Sequence, residues 1–397
     1  FGLTMLREGT ADLDSLEFSA AQSQLGAEIS THSTLDTSSV TLSALRENLA
    51  DSLELFAEVV REPGFRATDI DRERDRWIAR IQQEKASPQS MALRTLPPLL
   101  FGDDHAYGIP LTGSGTEASI RALEASDLQA FHRDWLRPDG ATLIVVGDVD
   151  MKTLLPLVKK ELGGWEAETP AKRPTKKLPR VARPESAQVS LIDRPGAEQS
   201  VIIAGQWIDP VDAKTVDTVE IMNMPLGGTF TSRLNMNLRE EKHWSYGART
   251  KAIKARGQRP FFAYAAVQTD KTAESMKEIL REVQDYRGQR PATAQEVERA
   301  VGGRVRKLPG RFEKNKAVRA EIADAVRFGW PADRVTQSRS RLEALSPEII
   351  QQSAAETLSP DRLTWVIVGD LSKIEAPVRA LGLGETVVRD ADGEILR

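Results

Sequence analysis

Cysteine is absent from the 397 residues, which excludes disulfides and thiolate-bound metals. A chain without stray thiols suits an exported, periplasmic protein, and a cytoplasmic one accommodates the same composition. Histidine is nearly as scarce: His32, His105, His132 and His243 are scattered, with no second histidine or carboxylate at a ligand spacing. No apolar run approaches a membrane span, and the N-terminus carries no signal-peptide pattern. No glycine-rich phosphate loop, nucleophilic cysteine or Ser-His-Asp set is visible. Neither sign of charge dominates: 58 acidic and 54 basic residues leave a net charge of −4, which gives nucleic acid no footing.

What is there describes an ordinary globular protein, with 40% hydrophobic and 28% charged residues. The length predicts two or more domains. Asp14 and Glu17 mark a helix start and Gly26 its end. Residues 27–32 and 38–44 alternate as paired strands. Residues 46–61 carry an apolar stripe through Leu49, Leu53, Phe56, Val59 and Val60, and a second long helix is expected over 67–85. A capping box at Ser126 is expected to open a helix that closes before Pro138, with His132 on it as a packing or surface residue. Residues 142–146 read as a buried strand and 151–162 as a helix. Proline and basic residues then crowd 165–184, the texture of a solvated linker.

Beyond the linker the first half recurs. RPDGATLIVVGD at 137–148 is echoed by SPDRLTWVIVGD at 359–370, an offset of 222 residues. ADSLELF at 50–56 resembles AESMKEI at 273–279, at an offset of 223. Two separate matches at nearly one offset predict a tandem duplication. The expected organisation is a first domain at 1–165, a linker at 166–187 and a second domain at 188–397. The second opens with strands at 188–193 and 200–207. Their counterparts in the first fall before Phe1, so the first domain is expected to lack its N-terminal strands and to derive from a longer parent.

The most informative stretch is 226–247, LGGTFTSRLNMNLREEKHWSYG. Gly227-Gly228 suit a tight turn and close backbone approach, Thr229 or Thr231 can cap a helix, and 244–247 reads as a strand start. Arg239 near the helix end and Tyr246 on the strand can aim at one point, where a guanidinium fork and a phenol donor could hold a carbonyl oxygen. A surface arginine and a half-buried aromatic is the alternative.

The pattern LGG-x-F-x-S-R-L-x-x-x-L-R-E-x-x-x-x-S-Y-G resembles the signature of the insulinase/pitrilysin zinc metallopeptidases, in the half that does not bind zinc. The resemblance implies an α+β fold, an α/β sandwich of two duplicated domains, each a mainly antiparallel sheet packed with helices. It places substrate-backbone binding and catalysis on Arg239 and Tyr246, with Gly227 and Gly228 shaping the wall beside them. Zinc-bearing domains of the family carry H-x-x-E-H shortly before Met-Leu and Gly-Thr. Here Met5-Leu6 and Gly9-Thr10 occupy that later position, so Leu3 and Thr4 stand where the glutamate and second histidine would be. Glu73-Arg74 leads to Ala79 and Arg80, with no third ligand. His105, in DDHAYG, resembles the family's structural H-x-Y-G turn.

The resemblance therefore implies no metal in this chain and zinc in a partner half, on the same polypeptide or a separate subunit. The expected function is the non-zinc half of a clamshell metalloendopeptidase acting on peptides, inactive alone. A catalytically inactive assembly subunit of the same fold is the alternative.

Overall fold

The computed structural model describes residues 1–167 and 172–397. Residues 168–171, within the expected linker, lie outside the described residues. The fold is α+β, and the chain divides into two compact units.

The first unit comprises Phe1–Gln82, Gly113–Lys177 and Lys314–Val326. The helix Ser15–Leu25 is closed at both ends by local chemistry. Asp14 accepts from the Leu16 and Glu17 N–H groups, Glu17 reaches back to the Asp14 N–H, and Gly26 takes the left-handed conformation. Strands β1 (Glu28–Ser33) and β2 (Ser38–Ser43) form an antiparallel hairpin. Leu53, Phe56 and Val59 on the helix Leu49–Arg61 pack with Leu3, Leu6, Phe18 and Ile29. The helix Ala125–Trp135 starts two residues earlier than the Ser126 box predicts, because Glu124 and Asp127 supply the reciprocal cap.

Residues 142–146 correct the expectation of a buried strand. They form no ladder, and Leu143 and Val145 are exposed. The physical difference from the repeat at 364–369 is the absence of neighbours. That second copy is paired on both sides, whereas no described strand of the first unit pairs with 142–146. An apolar run becomes a strand only where its backbone groups find partners.

The second unit comprises Gln83–Thr112, Leu178–Glu313 and Arg327–Arg397. Strands β3 (Ala187–Asp193), β4 (Gln199–Ile208), β5 (Ser245–Ala252), β6 (Arg259–Gln268), β7 (Thr364–Gly369) and β8 (Gly384–Arg389) form one sheet in the order β5-β6-β4-β7-β3-β8. The pairings are antiparallel from β5 to β7 and parallel from β7 to β8 through β3. One face buries Ile202, Ala204, Ala263, Ala265, Trp365 and Ile367 beneath helices that include Thr272–Arg287, Ala294–Arg311 and Pro347–Thr357.

On the other face the helix Pro88–Phe101 lies against β4 and β7. Gly205 permits this approach, since a Cβ there would meet Leu96 Cδ1 at 2.5 Å. That helix contains Pro97 and Pro98. Proline removes the N–H that would serve the carbonyl four residues back. The Leu93 carbonyl accepts instead from the Leu111 N–H at 3.1 Å.

Candidate functional site

The stretch 226–247 connects the helix Val216–Asn223 to the edge strand β5. It begins as a wide π-helical turn, Met224–Gly228. A Cβ on Gly227 would fall on the Thr250 backbone nitrogen, and one on Gly228 would meet Asn223 Nδ2 at 2.9 Å. Thr250 in turn donates its hydroxyl to Asn223 Oδ1 at 2.6 Å. Gly227 thus lets the turn press against β5, and Gly228 lets it fold back onto Asn223. They do so within a helical turn, not the tight reverse turn expected from Gly-Gly.

Neither expected threonine caps the next helix. Thr229 donates to the Met224 carbonyl at 3.3 Å, and Ser232 occupies the N-cap position. The helix runs as Arg233–Asn235 and continues in π-type turns, Met236–Glu241. Leu234 and Leu238 are buried in the sheet's core. Two polar anchors hold the rest. Arg233 forks onto Glu296 with bonds of 2.8 and 2.7 Å, donates to the Pro291 carbonyl at 2.8 Å, and lies over the Tyr286 ring. Asn237 donates to Glu278 at 2.7 Å and Glu282 at 2.8 Å. Burial raises Glu278, but the bonds from Arg281 and Asn237 outweigh it and hold this carboxyl below its usual range.

Arg239 lies on the last π turn. Its guanidinium sits 4.8 Å over the Phe230 ring, which is itself exposed, and pairs with Glu240 at 3.2 Å. His243 donates from Nδ1 to the Arg239 carbonyl at 3.1 Å and takes a left-handed φ of 57°. The Trp244 N–H then reaches back six residues to the Leu238 carbonyl at 2.9 Å, closing the widened helix with histidine in the left-handed position that glycine usually takes.

The chain enters β5 through a bulge. Ser245 pairs with Val267 and Ala248 with Ala265, so Tyr246 and Gly247 together oppose Ala266. Ser245 fixes the bulge by donating to the Ala266 carbonyl at 2.7 Å and accepting from the Gly247 N–H at 3.1 Å. Such irregularities re-aim side chains, and Tyr246 stands 86% exposed.

No hydrogen bond joins Arg239 to Tyr246 among the described residues. Their common support is the buried Asn235, four residues before Arg239. Its amide donates to the Phe230 carbonyl at 2.7 Å and its oxygen accepts the Ala248 N–H at 3.1 Å. One carboxamide therefore ties the loop carrying Arg239's ring partner to the bulge carrying Tyr246. Asn235 and Asn237 fall on variable positions of the signature, and the sequence pattern assigns no role to Phe230 or Arg233. The available signal was a pair of amides spaced among buried leucines, where an unpartnered amide is costly.

The residues at the metal-motif positions do not fit zinc. Leu3 is packed in the first unit's core, and no group of three or more His, Cys, Asp or Glu side chains among the described residues could hold a metal ion. His105 spends both ring nitrogens, Nδ1 accepting from the Tyr107 N–H at 3.0 Å and Nε2 facing the Pro179 carbonyl at 3.2 Å. His132 is buried and donates to the Val60 carbonyl at 2.7 Å.

Comparison with known proteins bears on these features. The family profile described as Insulinase (Peptidase family M16) matches residues 3–111, and the one described as Peptidase M16 inactive domain matches residues 122–303. The chain is 22% identical over 376 residues to an uncharacterized zinc protease of Streptomyces coelicolor, covering 94% of this chain and 80% of the relative. It is 21% identical over 242 residues to an uncharacterized zinc protease of Bacillus subtilis, covering 61% of this chain and 56% of that relative. A solved peptidase M16 inactive domain from Pseudomonas fluorescens has the same fold, with a TM-score of 0.84, 22% identity, and coverage of 93% of this chain and 87% of that one.

Proposed function

Because the chain belongs to the insulinase-type M16 family of zinc metallopeptidases, we propose that it serves as the non-zinc half of a clamshell metalloendopeptidase. On this reading the zinc belongs to a partner half of insulinase type, joined on one polypeptide or supplied as a separate subunit. This chain's share is to close the peptide chamber and bind the substrate backbone.

The observation that carries the proposal is the geometry at the helix–strand junction. Arg239 and Tyr246 both present donors to solvent, and a single buried carboxamide, Asn235, fixes the backbone on either side of them. A phenol donates one hydrogen bond along a defined direction, and a guanidinium donates a planar fork. Tyr246 is assigned to the carbonyl oxygen on which charge develops during hydrolysis, and Arg239 to neighbouring substrate carbonyls. A donor to a developing oxyanion contributes about 2.7–4 kcal/mol to the transition state. Gly227 and Gly228 shape the chamber wall beneath the pair, Gly227 through its close approach to Thr250 and Gly228 through its approach to Asn223.

The test is isolation of the native assembly, with its mass, zinc content and hydrolysis of a fluorogenic peptide library measured together. An assembly heavier than the 43.8 kDa chain, carrying zinc and cleaving peptides, is expected. A stable zinc-free assembly without hydrolysis would favour a role in assembly instead.

A further inference from the structure

The hairpin that begins at Tyr246 is one-sided in charge. From 242 to 269 there is no aspartate or glutamate, yet there are six cations: Lys242, Arg249, Lys251, Lys254, Arg256 and Arg259. Two of these share a face of the sheet with Tyr246. Ala248 and Thr250 of β5 are buried, whereas Arg249 and Lys251 alternate with them and are exposed. The bulge sets Tyr246 opposite Ala266, which alternates with Ala265 and Val267 of the core and so lies on the open face with Tyr264. Residues two to three apart on a strand are separated by roughly 7–10 Å, about two to three residues of an extended peptide.

Arg249 is pre-arranged. Its guanidinium lies 5.1 Å from the centroid of the Tyr264 ring, directly across the ladder, and Tyr264 is steadied by its bond to Gln89 Oε1 at 3.1 Å. Burial raises the Tyr264 phenol and Arg249 offsets part of that rise. Neither Arg249 nor Lys251 forms an ion pair among the described residues, in contrast to Arg233 and Arg281 on the neighbouring helices. A guanidinium laid flat on a ring keeps its edge donors for a carboxylate. β5 also ends the sheet order, so its outer backbone groups have no strand partner among the described residues and can take an added strand.

We propose that the open face and edge of β5 recognise an extended peptide bearing acidic side chains two residues apart, with Arg249 and Lys251 as the specificity-determining residues beside Tyr246. The proposal rests on the reading of Tyr246 as a substrate-binding group, and it names the class of substrate. A peptide along the edge alternates its side chains with period two, so two carboxylates on one face meet the two cations in register.

The test uses the full chain and two fluorescein-labelled peptides, identical except for Glu-x-Glu against Gln-x-Gln, with binding read by fluorescence anisotropy at low ionic strength. The Glu peptide should bind about fivefold or more tightly, the scale of two exposed ion pairs. Arg249→Gln with Lys251→Gln should bring that ratio close to one, and Arg249→Lys should keep most of it. Lys314→Gln with Lys316→Gln removes equal charge from exposed positions elsewhere and should leave the ratio unchanged. Thermal melting confirms that each variant folds. Equal binding of both peptides by the wild type, or a preference that survives Arg249→Gln with Lys251→Gln, would overturn the proposal. Hydrolysis by the assembly separates the two readings. Equal kcat/KM for both peptides sinks the acidic preference while peptidase work stands. A Glu preference in binding, with cleavage indifferent to Tyr246→Phe, sinks the role of the tyrosine and leaves this surface standing.

Discussion

Asn235 holds Ala248: its side-chain oxygen accepts the Ala248 N–H at 3.1 Å, just past the bulge that carries Tyr246. The same amide donates to the Phe230 carbonyl at 2.7 Å, and Phe230 is the ring under Arg239. Asn235→Ala would leave a buried N–H and a carbonyl unpaired, at a cost of about 1–3 kcal/mol. A lowered Tm is therefore expected, together with a loss of peptide hydrolysis by the assembly larger than the stability change explains. Asn235→Asp retains the acceptor for Ala248 and should recover part of the stability. A variant as stable and active as the wild type would show that the bridge is dispensable.

Two glycines make opposite predictions. A methyl group on Gly227 would collide with the Thr250 backbone, and overpacking of this kind costs about 1–3 kcal/mol. Gly303, within the helix Ala294–Arg311, has nothing within 4 Å of a Cβ, so Gly303→Ala should stabilise by up to about 1 kcal/mol through helix propensity. Paired thermal melts check both signs at once. A neutral Gly227→Ala would mean that the turn can withdraw from β5.

Where local chemistry decides, the sequence was readable. The Asp14–Glu17 box with Gly26 gave one helix to the residue, and the apolar stripe through Leu53 and Phe56 gave the next. The stretch 226–247 was legible as a candidate site because its residue types and spacing resemble a family signature. Its shape was not. A π turn differs from an α turn by one bond partner, and nothing in MNLREE signals that shift. The bulge at Tyr246 depends on Ser245 meeting Ala266, a contact across 21 residues. In the helix Pro88–Phe101 the donor that Pro97 lacks is supplied to the Leu93 carbonyl by Leu111, 18 residues on in the chain. Residues 142–146 failed for the converse reason, since an apolar run carries no information about whether partner strands are present.

Glu296 gives the fold a pH-dependent element. Burial raises its carboxyl, but the Arg233 fork and the Thr293 cap outweigh burial and hold it below its ordinary value of 4.5. A depressed folded value means the stabilisation is complete above about pH 4.5 and is lost as pH falls through the native value. Glu296→Gln removes the charge and should lower Tm at pH 7. The gap between wild type and variant should close progressively below about pH 4.5. Tm measured from pH 3 to 7 on both proteins checks this. A gap of constant size would assign the effect to shape and not to charge.

The remaining prediction concerns the pair itself. Tyr246 is 86% exposed, so Tyr246→Phe removes one hydroxyl without disturbing the core, and Tm should not move. If the phenol donates to a developing oxyanion, the loss falls on kcat by about a hundredfold or more, with KM little changed. In the proposed role, Arg239 binds the peptide in its ground state as well. Arg239→Lys keeps the charge and can still lie over Phe230, but an ammonium cannot reproduce the planar fork, so KM should rise. The measurement is steady-state hydrolysis of a fluorogenic peptide by the assembled halves, with assembly verified by mass. Wild-type kcat in Tyr246→Phe together with wild-type KM in Arg239→Lys would make both residues structural. Because Asn235 fixes the backbone on both sides of the pair, Asn235→Ala should reproduce both defects together, a raised KM and a lowered kcat, whereas neither single variant of the pair should show more than its own.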